Sequence, residues 1–129
     1  MSRLWGGRFE EKTDSLVEQL GESDSFDARL APWDIRASLA HARMLGACGI
    51  LAAEDVRKIL RGLREIEKDI AQGRMQWDRA LEDVHTNIEA ALIQKIGDAG
   101  KRLHTARSRN DQIATDMREE LKAEVAELC

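Results

Sequence analysis

Apolar residues recur at intervals of three and four along four segments of the chain, which is the spacing of amphipathic helices. The first predicted helix has Pro32 in its first turn and runs to about Gly46. Its apolar stripe consists of Ile35, Leu39, Ala42 and Leu45. The second predicted helix runs from about Ala53 to Gln72 and is followed by Gly73, a residue typical of helix C-termini. Its stripe, the longest in the chain, consists of Val56, Ile59, Leu60, Leu63, Ile66 and Ile70.

Two further helices are predicted in the second half of the sequence. The third runs from about Glu82 to Ile96, and residues 98–109 are then predicted to form a loop. Asn110 or Asp111 caps the fourth helix. Its apolar residues repeat at near-heptad intervals and comprise Ile113, Met117, Leu121, Val125 and Leu128. Because no stop signal follows, we expect this helix to be the start of a longer one whose packing partners lie elsewhere.

The pattern predicts an all-α protein, since the chain has one proline and few runs of β-branched or aromatic residues. Hydrophobic residues make up 43% of the 129 positions, enough for one small folded domain. The net charge of −4 gives no general attraction to nucleic acid or to anionic membranes, so we expect neither as a partner. A cytoplasmic location is expected, because no signal-peptide core or bilayer-spanning stretch is present. Cys48 and Cys129 are expected to be ordinary thiols.

The segment from Lys101 to Gln112 carries the strongest signal for a binding site. Four cationic side chains lie there, directly before the fourth predicted helix, namely Lys101, Arg102, Arg107 and Arg109. Free backbone N–H groups and the helix dipole favour an anion at such a position, and Arg can bind a carboxylate through two hydrogen bonds. The alternative is a solvated basic loop followed by a routine helix cap, and the residues alone leave both open.

A second candidate is the histidine of the third predicted helix. Glu82 and Glu89 lie three residues before and four residues after His85, so the three side chains share a helix face. Carboxylate neighbours favour the protonated imidazole, which suits proton transfer or a fixed donor to substrate. The alternative is a surface or packing histidine, and with no second His or Cys at ligand spacing we expect no metal. Residues 21–30 mix hydroxyls and carboxylates, which alone suggest capping residues.

Three motifs make the chain similar to argininosuccinate lyase, within the aspartase and fumarase superfamily. They are residues 4–9 (Leu-Trp-Gly-Gly-Arg-Phe), 82–86 (Glu-Asp-Val-His-Thr) and 103–112 (Leu-His-Thr-Ala-Arg-Ser-Arg-Asn-Asp-Gln). Ala106 departs from the family, which usually has a glycine there that tolerates positive φ. The resemblance covers essentially the whole chain. It implies an N-terminal helical domain over residues 1–109 and the start of a central helical bundle over residues 110–129.

The resemblance also implies a function, the reversible, non-hydrolytic cleavage of argininosuccinate to arginine and fumarate without metal or organic cofactor. It implies substrate-binding roles for Ser23, Asp27, Ser108, Arg109 and Asn110. Asp83 and His85 are implied to support the site. The family's catalytic His and Ser belong to later segments with no counterpart before residue 129, so we expect this chain to be inactive by itself. The parent protein is expected to be a homotetramer, and the alternative to an enzyme is a structural protein on the same scaffold, like the related lens crystallins.

Overall fold

The structure, a computed structural model, describes residues 28–129, and these are all-α. The α-helices are α1 (Ala31–Ala47), α2 (Ala53–Ala71), α3 (Val84–Ile96), α4 (Asp98–Lys101) and α5 (Arg109–Leu128). Short 3-10 helices cover Ala28–Leu30, Arg79–Leu81 and Arg102–His104. The described part of the chain contains no β-strand, which confirms the predicted fold class. Ser23, Asp27 and the motif at residues 4–9 lie outside the described residues.

The predicted bounds of the first three helices are confirmed with one adjustment. Pro32 lies in the first turn of α1, where its missing N–H costs nothing. Gly73 follows α2 with a φ of +66°, the left-handed conformation that ends many helices. α3 begins at Val84 rather than at Glu82. The reason is that Glu82 has a φ of 70° and Asp83 is the N-cap residue.

The prediction of a loop over residues 98–109 is wrong for its first part. α4 and the 3-10 helix Arg102–His104 occupy most of that segment. Ala99, Gly100 and Leu103 are buried there, and this burial stabilises helical turns that are too short for an apolar period to reveal.

The predicted cap of the last helix is also wrong, because Ser108 rather than Asn110 or Asp111 is the N-cap residue of α5. The Ser108 hydroxyl accepts a hydrogen bond from the backbone N–H of Asp111 at 3.4 Å. The Asp111 carboxylate accepts one from the backbone N–H of Ser108 at 3.1 Å. This reciprocal capping box begins the helix two or three residues earlier than a cap at Asn110 or Asp111 would allow.

The hydrophobic core lies where α1, α2 and α3 meet. Its largest fully buried side chains are Ile35, Leu45, Ile59, Leu63, Ile66 and Leu92. Each contributes roughly 1.5–3 kcal/mol by leaving water. Gly62 allows α2 and α3 to approach closely, since a Cβ at that position would lie 2.7 Å from the Leu92 side chain. This packing supports the N-terminal turn of α3, which carries Asp83 and His85.

α5 contacts α1 with a polar side instead of an apolar one. Its two buried residues are Gln112 and Asp116. Most of the predicted apolar stripe faces solvent, with exposed side chains at Met117, Leu121, Val125 and Leu128. α5 therefore buries polar side chains and exposes apolar ones, which is the opposite of an ordinary surface helix.

Two further features of the described part of the chain are its lack of membrane-spanning helices and the state of its cysteines. No helix within residues 28–129 combines the length and apolar content needed to cross a membrane. Cys48 and Cys129 are exposed free thiols, as predicted.

Candidate functional site: a buried polar cluster beside Arg109

A cluster of buried polar side chains joins α1, α3 and α5. Its members, called the buried polar cluster below, are Asp34, Ser38, His85, Arg107, Gln112 and Asp116. Asp34 and His85 are only 1% and 2% exposed, and Asp116 has no exposed surface. Polar groups at this depth are costly unless they are paired, so their mutual contacts determine whether α5 can dock here.

His85 lies between two carboxylates at the centre of the cluster. Its Nδ1 is 3.1 Å from Oδ1 of Asp34 and 3.4 Å from Oδ2 of Asp116. Burial by itself would lower the pKa of His85. The contact with Asp34 and the negative charges of both carboxylates outweigh burial, so the pKa is raised. The cluster therefore favours the imidazolium form.

The predicted carboxylate neighbours of His85 were the wrong ones. Glu82 is exposed and precedes α3, and the carboxylate of Glu89 contacts Arg109 instead. The raised pKa expected from carboxylates is nevertheless present, because Asp34 and Asp116 reach the imidazole from α1 and α5.

The two carboxylates of the cluster have opposite protonation preferences. Burial, reinforced by the negative charge and close contact of Asp34, raises the pKa of Asp116 to about 7. Burial also raises the pKa of Asp34, but His85, Gln112 and Arg107 together outweigh it and leave that pKa below its ordinary value. Asp34 is therefore the ionised partner of His85. Among residues 28–129, neither Asp116 oxygen nor Nδ1 of His85 makes a hydrogen bond of normal geometry, so the close approaches of His85 to the two carboxylates are charge contacts.

Asp34, His85 and Asp116 also offer the donor types of a metal site. One ligand atom from each lies within 4.8 Å of the other two. A metal must displace protons from its ligands, however, and the raised pKa values of His85 and Asp116 oppose that. The arrangement is better described as an imidazolium held between two carboxyl groups.

Gln112 links the buried polar cluster to Arg109. Its Nε2 donates a hydrogen bond to Oδ1 of Asp34, and its Oε1 accepts one from Nη1 of Arg109 at 2.6 Å. Nη2 of Arg109 lies 3.4 Å from Oε2 of Glu89, and its Nε lies 4.0 Å from Oδ2 of Asp83. The Arg109 side chain remains 20% exposed, so part of the guanidinium faces solvent.

The four cations predicted to form an anion site do not converge. Lys101 and Arg102 form ion pairs with acidic residues of α4 and α2. Arg107 belongs to the buried polar cluster, where its Nη1 donates to the hydroxyl of Ser38 at 2.9 Å. Of the four, only Arg107 and Arg109 remain beside the candidate site.

The other predicted site residues have local structural contacts. Oδ1 of Asp83 accepts a hydrogen bond from the backbone N–H of Thr86 at 2.6 Å and so caps α3. Ser108 caps α5, and Asn110 is exposed in its first turn. Among the described residues, Asp83 and Arg109 are therefore brought together, His85 reaches Arg109 only through Asp34 and Gln112, and Asn110 lies on the outer surface.

A cavity of about 20 Å³ lies between the buried polar cluster and Arg109. This volume has room for about one water molecule, so a ligand with several carboxylates cannot enter it. A wider groove of about 490 Å³ runs along α1 and α5 beside Ala106 and Asp111. Any larger ligand must therefore contact Arg109 from its exposed side.

The chain matches the family described as Lyase over residues 7–129. It belongs to this lyase family. Among its relatives, the argininosuccinate lyase of Geobacter metallireducens is 57% identical over 98% of the chain and 28% of the relative. That of Methylococcus capsulatus is 54% identical over 98% of the chain and 27% of the relative, and that of Sulfurihydrogenibium sp. is 56% identical over 93% and 26%. The chain thus spans about 27% of the length of these curated relatives.

In this member of the lyase family, sequence reasoning overlooked the partners of His85. Asp34 and Ser38 are four residues apart on α1, and Gln112 and Asp116 are four apart on α5. Two polar pairs at this spacing, each lying directly beside an apolar stripe, are the available signal. The pattern does not say that the two pairs face each other, since that depends on how the helices pack.

Proposed function

We propose that the protein functions as an argininosuccinate lyase, which cleaves argininosuccinate reversibly to L-arginine and fumarate in arginine biosynthesis without metal or organic cofactor. The observation that carries this proposal is the 54–57% identity, over nearly the whole chain, to relatives bearing that name. Those relatives are much longer than the matched region, so we assign substrate binding to this chain. Removal of the carbon-bound proton and protonation of the leaving nitrogen are assigned to segments other than residues 1–129.

The proposed substrate contacts at the start of α5 are Ser108, Arg109 and Asn110. A carboxylate at this position gains from the positive end of the helix dipole and from charge-assisted hydrogen bonds to Arg109. The one-fifth exposure of the Arg109 side chain supports such a contact. Ser23 and Asp27 are proposed to bind the arginine end of the substrate.

Asp83 and His85 are proposed to support the site without touching the reacting atoms. Asp83 lies within 4.0 Å of Arg109 while capping α3, and His85 is enclosed by the buried polar cluster. Both are therefore suited to hold the elements that carry the binding residues.

The proposal includes a cytoplasmic homotetramer in which residues 1–109 form an N-terminal domain and residues 110–129 start a central helical bundle. Support for this division comes from α5, which begins at Arg109 and exposes an apolar stripe suited to packing against other helices.

The experiment is to express the complete product of the gene that contains this chain and to follow fumarate by its ultraviolet absorbance. Arg109→Ala and Asn110→Ala should each lower kcat/KM for argininosuccinate by about 10- to 100-fold, the equivalent of one or two hydrogen bonds to a charged group. Arg118→Ala is the matched control, because Arg118 is an exposed arginine on the same helix. Near-wild-type values for both test variants would remove the assigned roles. No turnover by the complete product would favour the structural alternative.

The 129-residue chain alone should release no fumarate, since its proposed share of the site is binding. Sustained turnover by this chain that Asn110→Ala abolishes would place catalytic groups within it. Ser108 needs a separate comparison, because it also caps α5: Ser108→Ala should cost about 1 kcal/mol of stability, whereas the neutral Ser108→Asn should retain the cap. Loss of affinity in the asparagine variant, without loss of stability, would isolate the substrate contact.

A further inference from the structure

Gln112 is a buried amide whose two ends face groups of opposite charge. It is 5% exposed, and its Nε2 donates to the carboxylate of Asp34. An ionised carboxylate can only accept, so the amide cannot be reversed without losing this bond. Its Oε1 therefore faces Arg109, from which it accepts a hydrogen bond at 2.6 Å.

The contact with Gln112 is the shortest that the Arg109 guanidinium makes among the described residues. The approaches to Thr86 and Glu89 are 3.4 Å, and that to Asp83 is 4.0 Å. An arginine side chain has several rotatable bonds, and holding it in one conformation costs side-chain entropy of up to about 2 kcal/mol. Gln112 therefore makes the closest of the contacts that orient this side chain.

The acceptor that orients Arg109 is neutral. A glutamate in place of Gln112 would form an ion pair and offset the positive charge of the guanidinium. An amide orients the same group without adding a third carboxylate to those of Glu89 and Asp83, so more of the positive charge is left to act on an external anion. Asp34, which itself contacts His85 and Arg107, holds the amide in place from the buried side.

We propose that Gln112 is a positioning residue for substrate binding, in which its amide, oriented by Asp34, holds the Arg109 guanidinium ready for a carboxylate. The inference rests on the proposed function only in taking Arg109 as a carboxylate ligand. Pre-organisation of this kind lowers the entropy lost when the ligand binds. Gln112 itself does not touch the substrate.

The kinetic test uses the complete gene product with Gln112→Met, which has a similar volume and removes both hydrogen bonds. KM for argininosuccinate should rise about tenfold while kcat changes less than about twofold, because a binding contact and not a reacting group is lost. Gln94→Met is the matched control, since Gln94 is exposed on α3. In an Arg109→Ala background, Gln112→Met should add no further change in KM. An unchanged KM, or an equal rise in that background, would overturn the proposal.

A second readout requires no turnover. The Nη1–H protons of Arg109, one of which bonds to Gln112, should exchange with water faster in Gln112→Met than in the wild type or in Gln94→Met, as observed by nuclear magnetic resonance. If the protein does not cleave argininosuccinate, the proposed function fails, but this measurement still decides whether Gln112 orients Arg109. An unchanged exchange rate overturns the inference even if the enzyme is active. Gln112→Asn, whose shorter amide cannot span both partners, replaces the methionine variant if that variant does not fold.

Discussion

Nδ1 of His85 lies 3.1 Å from Oδ1 of Asp34, and both side chains are almost completely buried. Asp116 approaches the same nitrogen from α5 at 3.4 Å. Because Gln112 and Asp116 are the buried residues of α5, the attachment of this helix depends on matched polar groups rather than on apolar packing.

Replacing His85 with alanine should lower the free energy of unfolding by about 3–5 kcal/mol at pH 7. The substitution leaves Asp34 and Asp116 buried without a cation between them, and breaking a buried pair has a cost of that order. Urea unfolding followed by circular dichroism measures the change. His41→Ala is the control, because His41 makes one partly exposed hydrogen bond and should cost about 1 kcal/mol. Equal losses in the two variants would show that His85, buried between two carboxylates, adds no more stability than a partly exposed histidine.

Asp116→Asn should change how stability depends on pH. The folded-state pKa of Asp116 is raised from 3.8 to about 7 by burial and by Asp34, against the opposing effects of His85 and Arg107. Its stabilising contribution is therefore complete below pH 3.8 and is lost as the pH rises toward 7. The asparagine side chain does not titrate, so the stability of wild type relative to this variant should fall between pH 4 and pH 7. A difference that stays constant across urea unfolding curves in this range would contradict the assigned pKa.

Ala106→Gly should leave stability unchanged or raise it by up to about 1.5 kcal/mol. Ala106 has a φ of 56°, in the left-handed region, where a Cβ costs roughly 1–2 kcal/mol. The glycine relieves this strain but loses about 0.4–1 kcal/mol through greater freedom of the unfolded chain. Ala114→Gly, at an exposed helical position of α5, should instead destabilise by about 1 kcal/mol. Thermal unfolding of the two variants side by side tests the difference in sign.

The 129-residue chain should self-associate through the apolar stripe of α5. Met117, Leu121 and Val125 are each at least half exposed, and burying such side chains in a helical bundle contributes roughly 1.5–3 kcal/mol each. Sedimentation velocity over a concentration series should show a rising mean mass, which Leu121→Glu abolishes. Ala126→Glu, which adds the same charge on the opposite face of α5, should leave association intact. A monomer at every concentration would mean that the stripe is not an interface.

Local patterns predicted most of the helices. The period of Ile59, Leu63 and Ile66 and the stop at Gly73 depend on residues within a few turns of one another, so α2 could be placed to within a residue. The same reasoning failed for α4, because a four-residue helix has no period to detect. It also misplaced the cap of α5, since Ser108, Asn110 and Asp111 all have side chains suited to capping.

The sequence by itself determined the helical architecture, the apolar stripe of α5 and the residues that resemble a substrate-binding loop. Only the tertiary structure decided which of these residues meet. Gln112 and Asp34 are 78 positions apart, and their contact, like that of His85 with Asp116, exists because three helices pack together. Residue spacing carries no information on such contacts, since the pairing of buried charges depends on helix packing over the whole domain.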